Sequence, residues 1–172
     1  MIALLLALAQ AAGTGPAADV AAPAPAPPPY AMPGEEAVAP YTPDPRNLGA
    51  RPFAGQAMAR AFHGRAGIER IVTRMVADAR ADPAISEIFV NQDMVRLRRT
   101  LTEQICAILN AGCTYSGRDM ASAHKDLGIR RADMNRLVEL LQHAMTAEGV
   151  GFAAQNRLLA RLAPMHDEVV ER

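Results

Sequence analysis

Apolar side chains recur at intervals of three and four residues through most of this chain after residue 56, which is the spacing of amphipathic helices rather than of strands. The clearest stripe consists of Ile68, Val72, Met75, Val76 and Ala79. It predicts a long helix over residues 66–80, which Asp82 and Pro83 would end because proline cannot continue a helix. A single helical turn over residues 57–62 precedes this helix, and a short connector over residues 85–89 follows it.

Three further stripes predict three further long helices. Asp93 is a helix-capping residue type, and the helix that it begins would run to about Leu109. Its predicted apolar side consists of Met94, Leu97, Leu101, Ile105 and Ile108, and its predicted outer side of Arg96, Arg98, Arg99, Thr102 and Glu103. Residues 132–147 and a segment from Phe152 onward repeat the pattern, and Pro164 would kink the last helix. No strand pattern of any length occurs, so the fold class is all-α, and the periodicity by itself fits a plain four-helix bundle equally well.

A short helix is predicted between the second and third long helices. Ser116 stands three residues before Asp119, as in a capping box, so the helix is expected to begin there. Gly128 is expected to end it. One face of this helix would carry Met120, Ala123, His124 and Leu127. His124 then looks inward from an apolar stripe, a position in which a histidine is more often a hydrogen-bonded core residue than a metal ligand.

A family resemblance changes that interpretation. It is carried by three runs, Tyr115-Ser-Gly-Arg-Asp-Met120, Ala123-His124 and Leu127-Gly128-Ile129. Together they resemble the proximal-helix signature of the group-one truncated haemoglobins, and the resemblance extends from about Gly64 to the C-terminus. It implies the two-over-two helical sandwich of that family and haem b as the cofactor. It also implies that His124 is the axial ligand of the iron, because a neutral imidazole is a strong donor to haem iron.

The resemblance assigns the walls of the haem site as well. The predicted contacts on the proximal side and around the ring are Met120, Leu127, Phe89 and Val138. The second ring nitrogen of the axial histidine is expected to bond to the Met120 carbonyl one turn back. At the three distal positions, where typical members carry a Tyr and often a Gln, this chain has Val76, Leu97 and Leu101. The distal wall is therefore predicted to be apolar.

An apolar distal wall bears directly on function. A hydrogen bond to bound oxygen contributes roughly 1.5–3 kcal/mol, or about ten- to over a hundred-fold in affinity. We therefore predict a haemoglobin that reversibly binds oxygen, carbon monoxide and nitric oxide and releases oxygen quickly, with a reductase as a candidate partner. A haem enzyme for nitric oxide dioxygenation or peroxidase-like chemistry is one alternative, and it would want a polar distal group. A haem-free helical interaction module, in which His124 is merely packed, is the other.

Two further residues are candidates for haem contact. Arg99 would sit near the rim of the pocket, where it could reach a haem propionate, although such a charge run is more often a solvated face. His166 lies in a segment similar to the one where certain cyanobacterial members carry a histidine bonded covalently to a haem vinyl group; the alternative is a core-edge histidine near Asp167. The remaining histidines, His63 and His143, are interpreted as surface or partly buried residues.

Composition and charge indicate which partners the protein can bind and where in the cell it is located. Lys plus Arg and Asp plus Glu both number 18 in this 172-residue chain, so nucleic acid and anionic membranes are disfavoured as partners. Residues 1–12 form an apolar run with an A-x-A cleavage candidate, which predicts an export signal and a periplasmic or secreted protein, or a cytoplasmic one if the run is not a signal. The run is too short to span a bilayer. Residues 13–55 hold most of the 13 prolines and are expected to be a disordered linker, followed by the globin domain over residues 56–172.

Two cysteines, Cys106 and Cys113, leave two interpretations open. They form a disulfide if Ala111 and Gly112 turn the chain back after the helix that carries Cys106. If the helix continued between them, the rise of about 1.5 Å per residue would hold them too far apart, and they would be two small buried apolar side chains. Two cysteines are in either case too few for a structural zinc site.

Overall fold

The computed structural model describes residues 30–171, in which all regular secondary structure is helical. The seven α-helices are α1 (Ala57–Ala61), α2 (Gly64–Ala81), α3 (Met94–Ile108), α4 (Met120–His124), α5 (Arg131–Ala147), α6 (Phe152–Leu162) and α7 (His166–Val169). Three short 3-10 segments accompany them, at Pro45–Leu48, Ser86–Phe89 and Ala163–Met165. The predicted export signal lies outside the described residues. Within them, no helix combines the length and the apolar character needed to cross a bilayer.

Helix α2 is the central element, since both α5 and α3 pack against it. The predicted stripe on α2 is confirmed, because all five of its apolar residues are buried in the main core. The Asp82 carboxylate accepts the Ala84 N–H at 2.9 Å and pairs with Arg136 of α5 at 2.7 Å, so the residue that ends α2 also ties it to α5. Helices α3 and α5 both pack against α2 and make little backbone contact with each other.

The predicted boundaries of the long helices are confirmed to within two residues. Asp93 caps α3, since its side chain accepts the N–H groups of Val95 and Arg96 at 3.0 and 2.9 Å. Pro164 breaks the last helix as expected, because the chain passes from α6 through a 3-10 turn into α7.

The prediction for the short helix was wrong at both ends. Asp119 caps α4, with its side chain accepting the Ser122 N–H at 2.8 Å, while the Ser116 hydroxyl bonds to Glu103 on α3 instead. The helix ends at His124, and Asp126 then adopts a left-handed conformation with φ of 64°. Ala123 is therefore exposed and Leu127 lies beyond the helix.

The two cysteines are joined in a disulfide, with their Cα atoms 5.5 Å apart. Helix α3 stops at Ile108, and Asn110 takes a left-handed conformation with φ of 57°. The Ala111 N–H then donates to the Cys106 carbonyl at 2.9 Å, which turns the chain back over the last turn of the helix. Of the two interpretations that the sequence left open, the structure has the bonded one.

The second half of the predicted disordered linker is packed on the domain. We call residues 30–53 the N-terminal strap; Leu48 and Phe53 are buried, and the Phe53 N–H donates to the Ile108 carbonyl at 2.8 Å. Residues 13–29 lie outside the described part of the chain. The strap also contacts the predicted outer side of α3, since its Glu35 pairs with Arg99. Arg99 and Thr102 on that side are buried instead of solvated.

Candidate haem site

His124, the predicted axial ligand, is the last residue of α4 and is half-buried. Its Nδ1 lies 2.8 Å from the Met120 carbonyl oxygen. A carbonyl oxygen only accepts hydrogen bonds, so Nδ1 carries a proton, and in the neutral ring Nε2 then carries the lone pair. Among the described residues Nε2 has no hydrogen-bond partner. The ring is thus held in the tautomer that can donate to a metal, by the contact that the sequence predicted.

Helix α4 rests on three other parts of the chain. It packs against α7, and the Met120 side chain is buried beside Gln104 of α3, whose Nε2 lies 3.5 Å from the Met120 Sδ. The same Gln104 nitrogen lies 3.6 Å from the Met165 Sδ. Beneath this cluster runs the strap at Gly49, where an added Cβ would lie 2.5 Å from the Met165 Sδ. Met120 is one of the predicted haem contacts. Its side chain faces α3 and the strap, and its carbonyl oxygen faces the His124 ring.

The other apolar residues assigned to the haem walls share one property: they are only half-buried. They are Phe89, Leu97, Leu101, Leu127 and Val138. Leu97 and Leu101 lie on α3 and Val138 lies on α5. Large apolar side chains that are left partly exposed offer surface that a flat apolar ligand can cover. Together with the free Nε2 of His124, these residues fit haem. Val76 differs, because it is buried within the core.

The two polar side chains of α3 nearest the predicted distal positions already have partners. The Thr100 hydroxyl donates back to the Arg96 carbonyl at 2.9 Å, and the Gln104 amide donates to the Leu48 carbonyl at 3.2 Å. Both groups would have to give up these bonds to reach a ligand beside Leu97 and Leu101. The side chains that α3 carries at the two predicted distal positions, Leu97 and Leu101, are hydrocarbon.

Arg99 does not stand at an open rim as predicted. Its side chain is only 6% exposed, and it pairs with Glu35 of the strap and with Glu103 one turn along α3, the latter at 3.1 Å. Burial alone would raise the pKa of the Glu35 carboxyl, but the hydrogen bonds from Arg99 and from the Met32 backbone lower it below its usual range. Two carboxylates thus already neutralise the guanidinium, which argues against a role for Arg99 in binding a haem propionate.

The other three histidines lie at or near the surface. His166 begins α7, the element packed on α4, and its Nδ1 lies 2.8 Å from the Asp167 carboxylate. The covalent link of His166 to haem stays a prediction; the mass of the protein after acid–acetone extraction checks it, and an unmodified mass contradicts it. His63 lies 3.2 Å from Glu148 at the surface, and His143 is exposed.

The residues that hold the loop between α3 and α4 are not predicted by any pattern in the sequence. Tyr41 and Asn47 of the strap, and Glu103 of α3, bond to Ser116 and Gly117 in that loop. For Tyr41 the signal was an isolated aromatic residue within a segment otherwise rich in alanine and proline, and neither Asn47 nor Glu103 carried a signal of its own. Such isolated residues are too sparse to form a periodic pattern.

The arrangement of the helices and the solved structures that match it define the class of protein as the two-over-two truncated globin. The truncated haemoglobin of Tetrahymena pyriformis in its Fe(III) form superposes with a TM-score of 0.64 at 19% identity, over 67% of this chain and 98% of that one. The 2/2 haemoglobin of a Synechococcus species, in the cyanomet state with covalently attached haem, superposes with a TM-score of 0.61 at 19% identity, over the same shares of the two chains.

Sequence comparison then establishes the family. The family model for bacterial-like globins matches residues 60–171, so the chain belongs to that family. It is also similar to the group 1 truncated haemoglobin of Mycolicibacterium paratuberculosis, with 27% identity over 106 residues that cover 62% of this chain and 78% of the relative. The predicted resemblance and the predicted fold are both confirmed. Membership implies a haem-binding globin that takes diatomic gases.

Proposed function

We propose that this protein binds haem b through His124 and reversibly takes up oxygen, carbon monoxide and nitric oxide against an apolar distal wall. The observation that carries the proposal is the fixed tautomer of His124, whose Nδ1 proton is committed to the Met120 carbonyl while Nε2 stays free. When bound, haem supplies an iron centre with a coordination position for a gas. The hydrogen bond to Met120 orients the imidazole and raises its basicity, which strengthens it as a donor.

Leu97 and Leu101 have a different task, which is to exclude water from the gas side. They offer no hydrogen bond to a bound oxygen, and the nearby hydroxyl of Thr100 and amide of Gln104 are engaged elsewhere. We therefore expect oxygen to leave quickly, whereas carbon monoxide, which carries less charge when bound, is affected less. A reductase that returns the iron to the ferrous state is a candidate partner.

An enzymatic role is the second candidate. Nitric oxide dioxygenation and peroxidase-like chemistry both benefit from a polar group that stabilises developing charge beside the iron. The apolar side chains of Leu97 and Leu101 and the engaged state of Thr100 argue against efficient chemistry of that kind. A haem-free interaction module is the third candidate, and the orientation of His124 argues against it.

Absorbance spectroscopy tests the proposal. After reconstitution with haem, we expect a Soret band that shifts when carbon monoxide is added to the ferrous protein. Absence of a Soret band after reconstitution would favour the haem-free module. Rapid turnover of nitric oxide by the oxygenated protein would favour the enzyme.

The proposal includes a location in the periplasm or outside the cell. It is supported by the apolar run at residues 1–12 and by the Cys106–Cys113 bond, since disulfides persist in oxidising compartments. In a bacterial host that expresses the full chain, we expect the protein in the periplasmic fraction, with neither cysteine labelled by a maleimide under denaturing conditions until reductant is added. A cytoplasmic protein with both cysteines labelled at once would contradict export.

A further inference from the structure

We propose that the N-terminal strap positions the proximal histidine: it holds the loop that leads into α4, and so sets where the His124 imidazole stands relative to α3. This inference rests on the proposed function, because it gives the strap a task only if His124 is the axial ligand. The match to bacterial-like globins covers residues 60–171, so the strap precedes the part of the chain that the family model describes.

The strap forms hydrogen bonds with three consecutive residues of the loop. The bonds run from the Tyr41 hydroxyl to the Ser116 carbonyl at 2.9 Å, from the Asn47 amide to the Gly117 carbonyl at 3.2 Å, and from the Arg118 guanidinium to the Ala39 carbonyl at 3.0 Å. The Arg118 guanidinium also lies 5.0 Å from the centre of the Tyr41 ring, a favourable cation–π distance. Asp119, which caps α4, is the next residue. The place where α4 begins is therefore set by contacts with the strap.

A buried charge cluster forms a second connection between the strap and the loop that leads into α4. Arg99 of α3 lies between Glu35 of the strap and Glu103, and the Glu103 carboxylate accepts both the N–H and the hydroxyl of Ser116 at 3.0 and 2.6 Å. The side chains of Glu35 and Arg99 are only 2% and 6% exposed. Removing one partner from a buried pair leaves the other charge uncompensated, so the strap cannot be released without disturbing the loop.

The third connection reaches the first residue of α4. The Leu48 carbonyl accepts the Gln104 amide, and Gly49 follows with a left-handed φ of 73°. A Cβ at Gly49 would lie 2.5 Å from the Met165 Sδ and 3.4 Å from the Met120 Cγ, so the bare backbone of the strap lies directly against these side chains. Met120 in turn supplies the carbonyl that orients His124. The strap therefore acts on the axial ligand through a single intervening residue.

A double variant, Tyr41→Phe with Asn47→Ala, removes two of the loop bonds and leaves the globin helices intact. In the haem-free protein we expect amide hydrogen exchange over residues 116–124 to speed up by about tenfold, since two hydrogen bonds are lost. In the haem-loaded protein we expect transfer of haem to an excess of apomyoglobin to speed up by about five- to tenfold. Resonance Raman spectra of the ferrous form should show a shifted or broadened iron–histidine stretching band.

Glu148→Gln is the matched control, because it weakens a carboxylate that binds Arg70 and His63 at the corner between α5 and α6, away from the loop. It should lower the melting temperature and leave both the exchange over residues 116–124 and the iron–histidine band unchanged. The proposal is overturned if the double variant changes neither the exchange over residues 116–124 nor the iron–histidine band. It is also overturned if the control variant changes both as much as the double variant does. If the unmodified protein binds no haem, the proposed function fails, and exchange in the haem-free protein still decides whether the strap holds the loop.

Discussion

Replacing His124 with alanine is expected to abolish stable haem binding and to remove the Soret band from the purified protein. The imidazole Nε2 of His124 is free to donate to a metal, because the Met120 carbonyl holds the proton on Nδ1. Changes that only disturb the orientation of a metal-bound histidine weaken binding by about 10- to 100-fold. Loss of the ligand itself should therefore weaken haem binding by more than about 100-fold, as measured by titration with haem.

Two controls make this result specific. His143→Ala removes an exposed imidazole from α5 and should leave the spectrum unchanged. Free imidazole added to the His124→Ala protein should restore part of the haem binding, because it refills the space left by the side chain. An alanine variant that holds haem with an unaltered spectrum would contradict the assignment of His124.

Replacing Leu101 with glutamine is expected to slow oxygen dissociation by about ten- to one hundred-fold. The amide would supply the hydrogen bond to bound oxygen that the apolar wall lacks, which is worth roughly 1.5–3 kcal/mol when the acceptor is partly charged. Carbon monoxide dissociation should change much less, because its bound form is a poor acceptor. Flash photolysis and stopped-flow mixing measure both rates.

Leu101→Met is the matched control for this variant, since methionine is similar in volume to leucine but adds no strong donor. It should leave the oxygen dissociation rate within about threefold of the original value. An unmodified protein that already releases oxygen slowly would contradict the apolar distal wall, as would a Leu101→Gln protein whose oxygen rate does not change.

The long helices could be predicted because each buries one stripe against α2 or its neighbours. Burial on one side produces the three-and-four spacing directly, and capping residues such as Asp93 mark the ends by local hydrogen bonds. The bond between His124 and Met120 could be predicted and is confirmed, because the partner lies one turn back on the same helix. These features depend on residues close together in the sequence.

The errors concern residues whose partners are remote. Arg99 resembled a solvated charge on α3, yet its partner Glu35 lies 64 positions away in a segment predicted to be disordered. Ser116 had the spacing of a capping residue, but its hydroxyl is taken by Glu103, and Asp119 caps the helix instead. In both cases a tertiary contact replaces the interaction that the local sequence predicts. The strength of such a contact depends on the position of both partners, which the sequence does not give.

The sequence by itself determined the helical class and the stripes that form the core, which follow from side-chain chemistry and from interactions within a few residues. The assignment of His124 as axial ligand and of an apolar distal wall came from the family resemblance, and both stay predictions. Only the tertiary structure decided the path of the strap, the burial of Arg99 and the closing of the Cys106–Cys113 bond. The strap and Arg99 depend on segments that are distant in the sequence, and hydrogen bonds and ion pairs between remote residues leave no periodic trace along the chain. The disulfide joins cysteines only seven positions apart, but it depends on where α3 ends and the chain turns back.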